Sequence, residues 1–267
     1  MPGAWGWTDR RRRPVGGPGR LGRALLDLAF PPQCAACGQG VPDGEIFCPE
    51  CRARVELIRA PVCRRCGRPL ADRAKEGQCR RCASRPPAYD QARSLALHRG
   101  PLARAVRDFK YRRRYGRGAA LASFWVHQAP VDWLAGVELL VPVPLHPRRL
   151  LWRGFNQALV LARPLARRLG LAVEPGLLRR RRHTRPQVGL DAAQRRANVE
   201  GAFVLDRRGA ARVEGRRVLL VDDVFTTGAT VEECARVLRE AGAARVMVHT
   251  LVRATGHGAR PEGRDRD

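Results

Sequence analysis

From about residue 90 to residue 253, short apolar runs alternate with longer stretches in which apolar side chains recur every three to four positions. The first pattern fits buried strands and the second amphipathic helices. Strands are expected at 93–97, 139–143, 202–205, 217–221 and 245–251, and helices at 101–111, 118–127, 156–169 and 229–241. Strands that alternate with helices imply an α/β fold, with a mostly parallel sheet covered on both faces. On the last helix Cys234 shares a face with Val231, Leu238 and Ala241 and is expected to be a core thiol. Residues 21–30 fit a short amphipathic helix. The rest of a basic segment 1–30 and the polar tail 254–267, both rich in Gly, Pro and Arg, are expected to be disordered.

At 44% hydrophobic residues over 267 positions the chain can bury a sizeable core, which excludes wholesale disorder. No apolar run approaches the ~18 residues of a membrane-spanning helix. The Arg cluster at 10–13 runs into Pro and Gly rather than an apolar region, so no export signal is expected, and the protein is expected in the cytoplasm without membrane insertion.

Cysteine divides the chain. Eight of nine cysteines lie between 34 and 82, in four pairs: Cys34 and Cys37, Cys48 and Cys51, Cys63 and Cys66, Cys79 and Cys82. Each C-x-x-C turn presents two thiolates to one ion, and two turns complete a tetrahedral S4 shell. Gly38 and Gly67 follow the second Cys of a knuckle, where glycine lets the chain turn back. The spacing permits an interleaved cross-brace, but the two halves repeat one another, which favours two sequential zinc ribbons over 31–86. A disulfide framework fits poorly with a cytosolic chain. Closed S4 sites are structural, so two Zn2+ ions are expected to hold a segment too small to fold by burial.

The most informative stretch is 218–230, Val-Leu-Leu-Val-Asp-Asp-Val-Phe-Thr-Thr-Gly-Ala-Thr. An apolar strand leads to Asp222 and Asp223, and a turn of Thr226, Thr227, Gly228, Ala229 and Thr230 opens a helix. In an open parallel sheet ligands sit at the carboxyl ends of strands. Free amides, hydroxyls and the helix N-terminal charge make the turn a phosphate cradle. The adjacent carboxylates would repel phosphate but accept hydrogen bonds from vicinal sugar hydroxyls, with Mg2+ nearby. A ribose 5-phosphate unit satisfies both halves. An acidic strand end with an N-capping Thr is the plain alternative. A P-loop is excluded, since no G-x-x-x-x-G-K-[ST] occurs.

This motif resembles the 5-phosphoribosyl diphosphate (PRPP) motif of type I phosphoribosyltransferases. The wider pattern is similar to ComF-type competence proteins, which join a double zinc ribbon to a phosphoribosyltransferase-like domain, here over 87–253. Residues carrying the resemblance include Phe109, Lys110 and Tyr111, the Val-Pro-Val-Pro-Leu-His-Pro run at 141–147 with Arg148 and Arg149, Arg153 to Gln157, and Thr184, Gln187, Leu190, Arg195 and Asn198. The resemblance implies that Asp222 and Asp223 hold the ribose hydroxyls as catalytic residues and that the turn grips the 5-phosphate. It places Pro144, Leu145 and His146 by the diphosphate and makes 179–196 a closing loop, in which Arg195 and Asn198 reach PRPP. His146 is a candidate general acid, or a capping residue. Gly154, Asn156 and Gln157 would open a helix at the same crevice. No acceptor-binding hood is recognisable.

Charge adds a second class of function. The net charge is +26, but only Lys75 and Lys110 among 51 basic residues are lysine, so part of the excess reflects a GC-rich genome. Two arginine-rich segments, 104–117 and 179–196, remain candidates for polyanion contact. The resemblance implies a role in natural transformation, with single-stranded DNA and a helicase-like partner. An active transferase and a non-catalytic adaptor that keeps its PRPP pocket as a sensor are both open. Trp125, Trp133, Trp152 and Phe155 offer stacking surfaces, although Trp125 and Phe155 lie on helical patterns that suit core packing.

Overall fold

The computed structural model describes residues 32–70, 77–111, 115–184 and 190–254. The expected helix at 21–30, the two disordered ends, Lys75 and Gln187 lie outside the described residues.

Four strands form one parallel sheet in the order β1 (Gln91–Leu97), β6 (Arg245–Arg253), β5 (Arg217–Phe225), β2 (Leu139–Pro142). Strands β5 and β6 lie in the middle and are apolar on both faces, as a doubly covered sheet requires. Between β1 and β2 run α3 (Gly100–Tyr111) and α4 (Tyr115–Gln128). Downstream come α5 (Pro147–Arg153), α6 (Gln157–Leu169), α7 (Ala192–Val199), α8 (Arg207–Val213) and α9 (Ala229–Glu240). The cysteine segment adds two short helices, α1 (Pro49–Ala53) and α2 (Arg80–Ser84).

All four long helices and all five strands expected from periodicity are present, with two differences. Strand β5 runs to Phe225, so Asp222 and Asp223 lie inside its pairing with β6 and not beyond it. The 202–205 segment is not in the sheet: β4 (Phe203–Leu205) pairs antiparallel with β3 (Leu178–Arg180) in a separate ribbon. Its partner is three residues long and two of them are arginine, too short and polar to carry an alternating signal.

Successive residues of β5 point to opposite faces. Leu219 and Val221 join Leu102, Phe109, Leu121, Trp125 and Leu161 beneath α3, α4 and α6. Val218 and Leu220 join Tyr89, Phe203, Phe225, Val231 and Leu238 beneath α9. Cys234 is fully buried there, as expected. Trp125 is fully buried too, its indole N–H donating to His249 Nε2 at 3.2 Å, which assigns it to the core and not to stacking. The cysteine tetrads divide the same way, the first packing on the α3/α4/α6 face and the second on the α9 face. The chain between them closes the outer edge of β1: Ile58 N–H donates to Leu95 O at 2.8 Å and Leu97 N–H to Glu56 O at 2.9 Å. Covering an edge in this way removes a template for unwanted strand pairing.

Candidate functional site

Register brings the site together. Pro142 of β2 pairs with Val221 of β5, and Val143 N–H donates to Val221 O at 2.9 Å. The loop after β2 therefore starts where Asp222 and Asp223 begin, at the carboxyl ends of neighbouring parallel strands. A cavity of about 540 Å³ opens there, lined by Pro144, Leu145, Gln157, Asp222, Asp223, Thr226, Gly228 and Thr230, with Lys110, Arg180, His183 and Arg195 around them.

Gly228 makes the turn. Its φ is +84°, and a Cβ there would stand 2.6 Å from Phe225 Cζ, so no larger residue fits without displacing the ring. The reversal leads directly into α9, with Thr227 Oγ1 accepting from Ala229 N–H at 3.4 Å. The start of a twelve-residue helix thus faces the cavity floor.

The acidic pair is asymmetric. Asp223 is 7% exposed and holds Lys110 Nζ at 2.9 Å from its Oδ2. Asp222 is half-buried and accepts from Asp223 N–H at 2.8 Å. Withdrawal from water, reinforced by the Asp223 charge and opposed by Lys110, pushes the Asp222 carboxyl up to about 7. The Asp222 carboxyl therefore lies beside the Asp223–Lys110 ion pair, a setting with several oxygens that can accept hydrogen bonds from a diol.

Other expected residues take different positions. His146 caps α5, its Nδ1 accepting from Arg148 N–H at 3.2 Å, and stacks edge-on against His183 with centroids 4.9 Å apart. It does not line the cavity. Asn156 caps α6 and donates to Val143 O at 3.1 Å, which ties that helix to the end of β2 and puts Gln157 in the wall. Arg195 on α7 lines the cavity, whereas Asn198, Thr227 and Ala229 do not. Of the arginine-rich stretch, residues 185–189 lie outside the described residues. Trp152, on α5 at the rim, is 56% exposed beside Arg148, Arg149 and Arg153.

Sequence reasoning did not single out Lys110, Arg180 or His183 as site residues. Lys110 carried signals without a role: it is one of two lysines in the chain, it lies in the basic segment 104–117, and it is among the residues that carry the family resemblance. Arg180 is buried with its guanidinium 5.3 Å from the Phe203 ring centroid and bonded to Thr184 Oγ1. Its Nε and Gln157 Nε2 are buried nitrogens without a hydrogen-bond partner among the described residues. Buried donors normally find an acceptor, so these two are exceptions next to the cavity.

The clustered cysteines resolve into Cys34, Cys37, Cys48 and Cys51, and Cys63, Cys66, Cys79 and Cys82, each with its sulfurs within 4.8 Å of one another. The pairing is sequential. Cys37 to Cys48 and Cys66 to Cys79 are both 3.7 Å, close to the edge of about 3.8 Å in a tetrahedron with ~2.3 Å metal–sulfur bonds. Burial opposes ionisation of Cys34, but backbone amides of Cys48, Cys37 and Ala36 outweigh it and bring the thiol down to about 6. Both tetrads fit structural Zn2+.

Comparison with known proteins matches residues 25–83 to the double zinc ribbon domain and residues 156–267 to the phosphoribosyl transferase domain. The DNA utilization protein YhgH of Salmonella typhimurium is 37% identical over 211 residues, covering 78% of this chain and 90% of that protein. Competence protein F of Haemophilus influenzae is 32% identical over 217 residues, covering 78% and 90%. Competence protein ComFC of Bacillus subtilis is 30% identical over 223 residues, covering 80% and 86%. The chain belongs to the ComF family. In this ComF chain the transferase match starts at residue 156, so Lys110, Pro144 and Leu145 complete the cavity from outside the matched segment. Among solved structures, glutamine PRPP amidotransferase of B. subtilis is 24% identical with a TM-score of 0.32, covering 53% of the ComF chain and 26% of that enzyme. Among the described residues of the ComF chain no helix is long and apolar enough to cross a membrane.

Proposed function

We propose that this ComF protein binds PRPP as its Mg2+ complex and transfers the phosphoribosyl group with release of pyrophosphate. One observation carries the reading: a single cavity joins the Asp222 and Asp223 pair, the Thr-Gly turn, Lys110 and the arginines Arg180 and Arg195. The turn would take the 5-phosphate and the acids the ribose 2- and 3-hydroxyls. Pro144 and Leu145, with Arg195 and Arg180, would face the diphosphate, where guanidinium groups offset leaving-group charge. Mg2+ arrives with the substrate and neutralises diphosphate oxygens. The acceptor's lone pair forms a bond to C1 as the bond from C1 to the diphosphate oxygen breaks, and pyrophosphate leaves with that electron pair. Binding at the remote phosphate fixes the reacting carbon.

The relatives are named for competence or DNA utilization, and we extend that role to this chain as part of the proposal. A second reading is favoured by Trp152, exposed at the cavity rim among arginines. An adaptor could hold single-stranded DNA there, bases stacking at ~1 to 3 kcal/mol each, beside a helicase-like partner. The deciding experiment is thermal melting with PRPP and Mg2+, followed by pyrophosphate release over a panel of nitrogenous acceptors. At 100 times its dissociation constant PRPP adds ~2.7 kcal/mol. The Asp222→Ala, Asp223→Ala double variant should lose the shift. No shift with the parent protein refutes PRPP binding, and a shift without turnover selects the sensor.

A further inference from the structure

The second cysteine tetrad is joined to the Thr-Gly turn. Its first knuckle reverses at Gly67, where φ is +68° and a Cβ would stand 2.4 Å from Ala92 O, so the knuckle rests directly on β1. Ala92 N–H donates to Arg65 O at 2.6 Å, and Arg93 Nη1 reaches Cys63 O at 3.3 Å and Arg64 O at 3.1 Å. From the end of β6, Arg253 donates through Nη2 to Cys66 O. Arg253 is 4% exposed and its guanidinium lies 4.0 Å from the centroid of Phe225. That ring is the surface on which Gly228 turns. Arg253 thus lies between a metal knuckle and the support of the turn.

A second tie is independent of the first. Arg81 lies between the ligands Cys79 and Cys82, and its Nη1 donates to Thr227 O at 2.5 Å. Five residues further along the α9 side, Glu232 accepts from Ala88 N–H at 2.9 Å. Among the described residues the first tetrad makes no such approach: Arg104 Nη1 to Ala36 O at 2.8 Å and Phe47 against Phe124 at 5.5 Å lie on the opposite face of the sheet.

We propose that Arg253 and Arg81 are positioning residues through which metal loading of Cys63, Cys66, Cys79 and Cys82 sets the shape of the 226–230 turn, while loading of the first tetrad does not. An S4 site holds its knuckle carbonyls in place only while the ion is bound, because metal binding supplies the folding free energy of such a segment. Those carbonyls fix Arg253, Arg253 fixes Phe225, and Phe225 fixes Gly228. The consequence for phosphate binding rests on the function proposed above. The coupling itself can be measured without ligand.

The test is hydrogen exchange on the full chain, followed at residues 226–230. Cys63→Ser with Cys66→Ser should accelerate exchange there by about tenfold or more, as expected for a locally opened segment, with the amides of β5 before Val221 unchanged. Cys34→Ser with Cys37→Ser should leave the turn within about twofold of the parent. Arg81→Ala changes neither a metal ligand nor the core, and should also accelerate exchange at the turn, with Arg81→Lys partly restoring it. Equal acceleration by both cysteine pairs, or none from either, overturns the coupling. If the cysteine variants do not fold, unchanged exchange in Arg81→Ala overturns it. Calorimetry with ribose 5-phosphate reads the other question: no binding to the parent removes the phosphate assignment and leaves the coupling standing.

Discussion

Replacing Asp222 by Asn isolates the electrostatic arrangement of the candidate site. Burial and the neighbouring Asp223 raise the Asp222 carboxyl to about 7. An ordinary aspartate titrates at ~3.9, and each pH unit of difference is worth ~1.4 kcal/mol, so ionising Asp222 in the folded chain costs about 4 kcal/mol at most. Solvent reaches the half-buried carboxylate, which reduces this to about 2 kcal/mol. Between about pH 4 and pH 7 the folded chain keeps a proton that the unfolded chain releases. The stabilisation is therefore complete below about pH 4 and is lost as the pH rises from there through about 7. Asn mimics the protonated acid and leaves the Asp223–Lys110 pair in place. Zinc-loaded parent and variant, melted side by side, should match near pH 4, diverge as the pH rises to about 7, and keep a constant gap above it. At pH 8.5 the variant should melt about 4 to 8 °C higher. A variant that melts lower at pH 8.5, or a gap independent of pH, would falsify this account of the pair.

Three further outcomes follow from the same geometry. Lys110→Met leaves Asp223 buried beside a second carboxylate without its 2.9 Å partner, and should destabilise the protein by about 2 to 4 kcal/mol at pH 8 and less near pH 5; urea melts at both values check it. Gly228→Ala places a methyl group 2.6 Å from Phe225 Cζ at a φ of +84°, so a loss of about 1 to 3 kcal/mol together with loss of the PRPP-induced melting shift is expected. Strong chelation should remove two zinc ions per chain by elemental analysis and unfold 32–82 first; recovery of fewer than two ions argues against paired ribbons.

The site was legible where its signal is local. The strand, the two acids and the turn into α9 occupy thirteen consecutive residues, and neighbouring positions in sequence are neighbours in space there. The two halves repeat one unit, a pair of C-x-x-C knuckles across a short excursion of ten residues in one and twelve in the other, which is why sequential pairing was favoured over the cross-brace. Lys110 meets Asp223 across 113 positions, and no periodicity reports a pairing at that range. Short elements also escaped. Helix α7 begins with a capping box of Asp191 and Gln194 that the sequence displays, but its arginine-rich faces give no apolar stripe. His146 was weighed as both acid and cap, and the structure uses it as the cap because Pro147 follows at the first helical position, where a missing N–H is harmless.

The strap at residues 55–58 that borders β1 has a consequence for anyone dividing this protein. Cutting after the last zinc ligand would strip a sheet margin, bare the ring of Phe124 that Phe47 covers, and leave Arg253 without the Cys66 carbonyl it holds. Such a fragment would present adhesive backbone and a bare ring to its copies and precipitate. The point where one sequence module gives way to the next is therefore not a point where this molecule can be cut.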